Sequence, residues 1–175
     1  FIKCVSILNL TVPSTVTAIG SRAFGEVANL IFDGSDPYGA RAFNGYVEGY
    51  LVYEDKNKTK LCACCRLAKG TLKLPNTLEE IGELAFLYCS QLDSLTLPNS
   101  VKTIGQNAFY ECSGLVSLVV PNSVTTITEE GSAFYHVPNV IYNGPLTHSD
   151  NWGAKWLNGY VDGKFVYKDE EHKTL

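Results

Sequence analysis

Short runs of alternating apolar and polar residues, each closed by a proline, recur along the chain. In the run from Leu95 to Leu97 the apolar side chains are two positions apart, as in a strand with one buried face. Pro98 has no N–H group to donate to a sheet, so we expect the strand to end there. Phe109 and Cys112 are spaced by one turn of a helix, which predicts a short helical or 3₁₀ turn. The pattern therefore indicates a mainly β fold with short helical turns.

The pattern repeats every 23 residues through much of the chain, as the equal spacing of Pro75, Pro98 and Pro121 shows. A further copy precedes them near Pro13, and the last copy has two extra residues at 129–130, where we expect a local bulge. A single coil of this length cannot bury its apolar face alone, so successive coils must stack and bury matching side chains in columns. One expected column consists of Phe24, Phe86, Phe109 and Phe134.

The run from Leu97 to Leu115, LPNSVKTIGQNAFYECSGL, resembles the BspA-like leucine-rich-repeat family of bacterial cell-surface proteins. The motif recurs in register in the neighbouring copies and spans about two thirds of the chain. The resemblance implies a right-handed leucine-rich-repeat solenoid at the cell surface or outside the cell. It also implies a binding scaffold, with adhesion to a host or matrix protein as the expected class. Repeat folds host many partners, so the fold does not name the ligand.

A larger repeat relates residues 39–61 to residues 153–175, and eleven of these 23 aligned positions are identical. In both copies a glycine follows an acidic residue between apolar runs, at Glu48–Gly49 and at Asp162–Gly163, which predicts hairpin turns. We therefore expect three-stranded β-hairpin modules inserted into the solenoid. The strands of the first module are expected near 41–47, 50–54 and 59–65.

The two kinds of repeat together predict four segments. They are leucine-rich repeats at 1–34, a first hairpin module at 35–70, repeats at 71–144 and a second, truncated module at 145–175. Both ends fall inside a repeating unit, so we expect the chain to be a piece of a longer array.

Aromatic side chains of the hairpin modules are the predicted ligand-binding residues. They are Trp152, Trp156, Tyr160, Tyr167, Tyr46 and Tyr53. In the expected register most of them share one face of a sheet, where they form a platform for a sugar or an anchor for a protein. The alternative is that this face packs against the solenoid, because a three-stranded sheet needs an apolar partner. Trp152 lies in a loop of variable length and is the candidate for exposure.

Cysteine usage favours buried thiols over a metal site. Cys4, Cys89 and Cys112 occupy one repeat position, where Val27 and Val137 stand in other copies, so this position is a small apolar slot. The cluster at 62–65 has cysteines at 62, 64 and 65, and strand alternation places the first two on one face. No second cysteine pair or nearby histidine completes a zinc set. We expect no metal and no disulfide framework.

The sequence supports no catalytic site and no cofactor. It lacks a phosphate-binding loop, a nucleophile elbow and a dinucleotide fingerprint, and His136, His148 and His172 lack triad partners. A net charge of −4 gives no reason to expect nucleic acid, and no apolar run approaches a membrane span. The expected partner is an extracellular protein. The alternatives are a glycan, bound by the module aromatics, and a passive surface spacer.

Two further surface features follow from the repeat. The outward row of the main sheet is predicted to be small and polar; it comprises Asn9, Thr11, Thr71, Lys73, Ser94, Thr96, Ser117 and Val119. Asparagines at one turn position are expected to form a hydrogen-bond ladder; they are Asn76, Asn99 and Asn122.

Overall fold

A computed structural model of the chain describes residues 10–12, 30–32, 42–43, 46–128, 131–142, 145–146, 155–157, 160–162 and 165–167. The regular elements in these residues are all β-strands. They are β1 (Leu10–Val12), β2 (Leu30–Phe32), β3 (Ala42–Phe43), β4 (Tyr46–Glu48), β5 (Leu51–Tyr53), β6 (Lys60–Cys64), β7 (Gly70–Lys73), β8 (Glu80–Ile81), β9 (Leu92–Thr96), β10 (Thr103–Ile104), β11 (Leu118–Val120), β12 (Thr126–Ile127), β13 (Asn139–Tyr142), β14 (Lys155–Leu157), β15 (Tyr160–Asp162) and β16 (Phe165–Tyr167).

Successive coils stack as two parallel ladders. The first sheet has the order β14-β13-β11-β9-β7, and the second has the order β12-β10-β8-β6-β5-β4. Each coil contributes one strand to each sheet. In the first sheet Thr71 lies beside Ser94, and in the second Ile104 lies between Ile81 and Ile127. Thr71 and Ser94 are one repeat apart, so the predicted stacking of 23-residue coils is confirmed here.

A column of phenylalanine rings runs through the core between the sheets. Phe86 and Phe109 stack with ring centroids 5.0 Å apart, and Phe109 and Phe134 stack at 5.7 Å. All three side chains are fully buried. The predicted column is therefore confirmed for these rings, and Phe24 lies outside the described residues. Offset stacking adds about 0.5–1.5 kcal/mol per aromatic pair beyond area burial, so the column links neighbouring coils.

The segment between the two sheets is a series of turns. No continuous helix forms in its described residues, and the bonds within a coil join N–H(i) to C=O(i−3), as in the 3₁₀ turns that the sequence analysis gave as the alternative. Its N–H groups alternate between two kinds of acceptor. Tyr110 and Cys112 donate within the coil, to the carbonyls of Asn107 and Phe109, at 3.1 and 3.3 Å. Phe109 instead donates to Ala133 of the next coil at 2.7 Å. A helix would direct every N–H along its own axis; here half of them bond the neighbouring coil.

Serine hydroxyls, and not asparagine amides, bridge neighbouring coils at the turns after Pro98 and Pro121. The Ser100 hydroxyl donates to the carbonyl of Leu78 at 2.6 Å, and the Ser123 hydroxyl donates to that of Val101 at 2.8 Å. The predicted asparagine ladder is wrong, because Asn99 and its repeat equivalents are exposed at the surface. The serine side chain is one carbon shorter than that of asparagine, and its hydroxyl contacts the preceding coil.

The first hairpin extends the second sheet. Strands β4 and β5 are antiparallel, with Tyr46 opposite Tyr53, and β5 is antiparallel to β6. Because β6 is itself parallel to β8, the three strands continue the solenoid sheet, and a separate inserted module is not confirmed. The predicted first strand was placed too early, since Ala42–Phe43 pairs with β2 in the parallel sheet of order β1-β2-β3.

In the second hairpin, as in the first, the two hairpin strands and the strand before them belong to different sheets. Strands β15 and β16 are antiparallel with Tyr160 opposite Tyr167, while β14 extends the first sheet in parallel with β13. The pair Asp162–Phe165 closes the hairpin, so its two-residue turn is one position later than predicted. The segment boundaries at 35–70 and 145–175 remain predictions, and the expected bulge at 129–130 lies outside the described residues.

Candidate functional site

For Trp156, Tyr160 and Tyr167, the predicted aromatic residues near the second hairpin, the structure describes which strands pair. Trp156 is in β14 opposite Val140, whereas Tyr160 and Tyr167 pair in the hairpin. Trp156 therefore belongs to a different sheet from the two tyrosines, and the three residues do not share one face of a single sheet as expected; their role in ligand binding stays a prediction. Trp152 lies outside the described residues.

The two aromatic residues of the first hairpin have different environments. Tyr53 is fully buried in the core, so the prediction that it contacts a ligand is wrong. Burial, together with the negative charge of Glu48, raises the pKa of its phenol. Tyr46 is partly exposed, and the ammonium of Lys58 lies 5.6 Å from its ring centroid. The same ammonium forms an ion pair with Glu48 at 2.7 Å. Tyr46 is therefore already engaged by a cation of its own chain.

A tyrosine row on the surface between the two sheets is the most prominent aromatic feature of the described residues. It consists of Tyr88, Tyr110 and Tyr135, one from each of three successive coils. The rings of Tyr110 and Tyr135 stack at 4.7 Å, and Tyr88 meets Tyr110 edge-on at 6.1 Å. Tyr88 is 48% exposed, more than the exposed valines 116 and 119. Each ring is thus held by its neighbours while its outer side remains at the surface.

A histidine–glutamate pair lies at one end of the tyrosine row. The His136 ring stacks on Tyr135 at 4.0 Å, and its Nδ1 lies 2.8 Å from a carboxylate oxygen of Glu111. The side chains of His136 and Glu111 are 54% and 28% exposed. Desolvation raises the pKa of Tyr110, with smaller contributions from Tyr135 and Glu111. Aromatic rings, hydroxyls and a carboxylate therefore share one small surface.

Left-handed backbone conformations place these side chains. Tyr88, Glu111 and His136 are equivalent positions, with φ of 59°, 63° and 61°. Such angles cost about 1–2 kcal/mol for a residue with a Cβ atom. They persist because each turn hydrogen bonds to the next coil; Tyr88 N–H donates to Tyr110 at 2.9 Å, and Glu111 N–H donates to Tyr135 at 2.8 Å. The same backbone feature that joins the coils therefore recurs on this surface in the three described coils.

The outward face of the first sheet is a second surface. Of the predicted outward row, Thr71, Lys73, Ser94, Thr96 and Val119 are exposed in this sheet, and Ser117 beside it is half-buried. Thr11 is exposed in β1, which belongs to the sheet of order β1-β2-β3, and Asn9 lies outside the described residues. At the end of β11 lies an open cavity of about 340 Å³, lined by Asn99, Val119, Val120, Pro121, Asn122, Ser123 and Ile141. The row contains one charged side chain, Lys73, and no aromatic ring, so it offers few anchoring groups.

Buried thiols occupy the interior, as the repeat predicts for Cys89 and Cys112. The Cys112 thiol donates to the Phe86 carbonyl at 3.0 Å, and burial raises its pKa. A hydrogen bond to Cys89 and burial raise the pKa of Cys64. The prediction that residues 62 and 64 share a face is wrong. The β5–β6 register shifts at this point, and the bulge turns Cys64 into the core while Cys62 stays partly exposed.

Within the described residues, no group of three His, Cys, Asp or Glu side chains has a metal-binding arrangement. Nor does that part of the chain contain a helix with the length and apolarity to span a bilayer.

The tyrosine row escaped the sequence analysis although the signal was available. Aligned copies place Leu87, Tyr110 and Tyr135 directly after the buried phenylalanine of each coil. The repeat register, applied to surface positions as it was to the core, would have identified Tyr110 and Tyr135, whereas Tyr88 is one position later in its coil.

Comparisons with known proteins agree with the stacked coils. The chain matches the sequence profile of the BspA type Leucine rich repeat region in six copies, over residues 1–33 and 58–147. A leucine-rich repeat protein from Eubacterium ventriosum ATCC 27560 is similar in structure, with a TM-score of 0.55 and 23% identity over 79% of this chain. A T. pallidum Leucine Rich Repeat protein gives a TM-score of 0.40 and 24% identity over 77% of this chain.

The chain spans 37% of the first of these proteins and 58% of the second. No curated protein matches it. The likeness to the E. ventriosum protein shows the fold alone, whereas the sequence profile matches well over half of the residues. The chain therefore belongs to the BspA type leucine-rich-repeat family.

Proposed function

We propose that this chain is a non-catalytic binding scaffold of a bacterial cell-surface or secreted protein, and that it adheres to a host or matrix protein. Leucine-rich repeats of this family are generally non-enzymatic scaffolds for protein interaction. The observation that carries the proposal is the tyrosine row, in which three neighbouring coils hold adjoining aromatic rings at the surface, Tyr88 exposed and Tyr110 and Tyr135 partly exposed.

Protein interfaces are enriched in tyrosine because one side chain supplies apolar area and a hydrogen-bonding hydroxyl. The tyrosine row has a second advantage. Its rings are already ordered by a stack at 4.7 Å and an edge-on contact at 6.1 Å, so binding loses little side-chain entropy. Apart from Lys73 and Val119, the predicted outward row of the first sheet presents short polar side chains, and beside it lies one cavity, so it offers a weaker set of anchors.

The test is binding of this chain to a panel of immobilised, purified extracellular-matrix proteins, measured by biolayer interferometry. Tyr110→Ala should weaken binding by about tenfold or more, in the range of an interface hot spot. Val119→Ala is the matched control, because this valine is 43% exposed but lies on the first sheet. Circular dichroism of each variant verifies folding.

Other results would favour other functions. Loss of binding with Val119→Ala and not with Tyr110→Ala would move the interface to the sheet. Binding to a glycan array that Trp152→Ala or Trp156→Ala abolishes would establish the glycan alternative. No ligand in either screen would support a passive spacer.

A further inference from the structure

The two hairpins of the chain have the same strand pairing. Strand β4 lies beside β5 with Tyr46 opposite Tyr53, and β15 lies beside β16 with Tyr160 opposite Tyr167. Each pair in the second hairpin follows its counterpart in the first at the offset that relates the two copies of the larger repeat. The two hairpins are therefore equivalent in strand register as well as in sequence.

The hairpins differ at their outer edges. Strand β5 is bonded on its second side to the antiparallel strand β6, with Val52 opposite Ala63 and Tyr53 opposite Leu61. Strand β16 pairs with β15 in a two-stranded sheet, and the described part of the chain places no other strand beside it. A two-stranded hairpin is marginally stable alone, and an unpaired strand edge presents a row of N–H and C=O groups to another strand. Among the described residues, therefore, the second hairpin lacks the strand that completes the first.

Strand β6 joins the first hairpin to the coils that follow it. It is antiparallel to β5 and parallel to β8, with Lys60 beside Glu80 and Leu61 beside Ile81. The Lys60 ammonium also lies 3.0 Å from a carboxylate oxygen of Glu80. The hairpin of β4 and β5 therefore covers the edge of the ladder formed by β6, β8, β10 and β12, as a capping element does in other repeat proteins.

We propose that the outer edge of β16 binds a strand of the β6 type, which adds antiparallel to β16 and begins a further block of coils of the same repeat. Strand addition at a sheet edge takes its affinity from main-chain hydrogen bonds and its specificity from alternate side chains. In β6, Leu61 and Ala63 are fully buried, whereas Lys60 and Cys62 are partly exposed. The added strand should therefore alternate apolar and more polar residues in the same way.

The strand pairing favours a further block over a second copy of this chain as the occupant. In a folded copy, β6 is bonded to β5 on one side and to β8 on the other, so it has no edge to donate. The tyrosine row lies outside the strands of both hairpins. The inference therefore goes beyond the proposed function and does not depend on it.

Hydrogen exchange followed by mass spectrometry tests the inference in an extended chain. A copy of residues 62–70 is added after Leu175, which continues the alignment of the larger repeat. Amide exchange in β15 and β16 should slow by at least about tenfold relative to the unmodified chain, because three paired strands replace two. The matched control is the same extension carrying the equivalent of Ala63→Pro, since proline at this position, opposite Val52 in the first hairpin, interrupts the ladder. Unchanged exchange in β9 and β11 verifies that the solenoid is folded in both extended chains.

Equal exchange of the hairpin in the two extended chains would overturn the inference. A second arm adds a peptide of residues 58–66 to the unmodified chain under reducing conditions, and it should slow exchange in β16, whereas the same peptide with Ala63→Pro should not. A dimer of the unmodified chain that protects β16, detected by light scattering and exchange, would assign this edge to a second copy and overturn the inference as well. Tyr110→Ala should leave all these exchange rates unchanged, which separates this test from that of the proposed function.

Discussion

Replacement of a phenylalanine in the core column should lower the free energy of unfolding by an amount that depends on how many rings it stacks on. Phe109 stacks on two rings, at 5.0 and 5.7 Å, whereas Phe86 stacks on one within the described part of the chain. Both side chains are fully buried. Leucine keeps most of the apolar volume but cannot stack, so each lost pair costs about 0.5–1.5 kcal/mol. Phe109→Leu should therefore lower the free energy of unfolding by about 1–3 kcal/mol, and Phe86→Leu by about half of that.

Urea unfolding followed by far-ultraviolet circular dichroism measures the difference between the two variants. The slope of the free energy of unfolding against urea concentration should be the same in both variants, because the surface exposed on unfolding barely changes. The reasoning is refuted if Phe86→Leu is as destabilising as Phe109→Leu. That result would mean that the cost arises from the loss of ring shape in each coil separately, without coupling between coils.

Three other changes test other parts of the structure. Ser100→Ala should cost about 1 kcal/mol in urea unfolding, through loss of its inter-coil hydrogen bond, while Asn99→Ala should be nearly neutral. Gly105→Ala should destabilise by about 2–3 kcal/mol in the same assay, because a Cβ atom would lie 2.6 Å from the backbone nitrogen of Glu83. Burial raises the pKa of the Cys112 thiol above its ordinary value of 9.0, so its contribution is complete below pH 9 and is lost as the pH rises. The urea midpoint should fall progressively as the pH rises above about 9, because unfolded thiols ionise there, and it should fall less steeply in Cys112→Ala; a flat profile would contradict this.

Features that depend on the repeat alone were predictable from the sequence. Equal spacing of Phe86 and Phe109 implied that their rings lie above one another, and they stack at 5.0 Å. The shared position of Cys89 and Cys112 implied a small buried slot, and both thiols are buried. Stacking of identical coils converts a sequence period directly into a column of contacts.

Features that depend on local backbone geometry were not predictable. The bulge beside Cys62 reverses the face of Cys64, and alternation along a strand contains no sign of it. Ala108 to Cys112 has helical spacing, yet left-handed residues such as Glu111 direct alternate N–H groups to the next coil. Hydrogen bonding between coils overrides the local helical preference, because a turn in a solenoid must satisfy its neighbours on both sides.

The candidate site was missed for a different reason. Tyr110 and Tyr135 follow the same register as the core, whereas Tyr88 is one position later in its coil. A surface tyrosine in one copy has no special meaning until its neighbours are stacked on it. Tyr110 and Tyr135 are 25 residues apart in sequence and 4.7 Å apart in space.

The central claim is that coils one period apart lie in register, and a disulfide crosslink tests it most directly. Thr71 lies beside Ser94, whereas Thr96 lies beside Lys73, and all four side chains are exposed. After mild oxidation with copper phenanthroline and peptide mass spectrometry, the double variant Thr71→Cys/Ser94→Cys should yield a bridged peptide in high amount. The displaced pair Thr71→Cys/Thr96→Cys should yield little. Equal crosslinking of the two pairs, or a preference for the displaced pair, would contradict the stacked register.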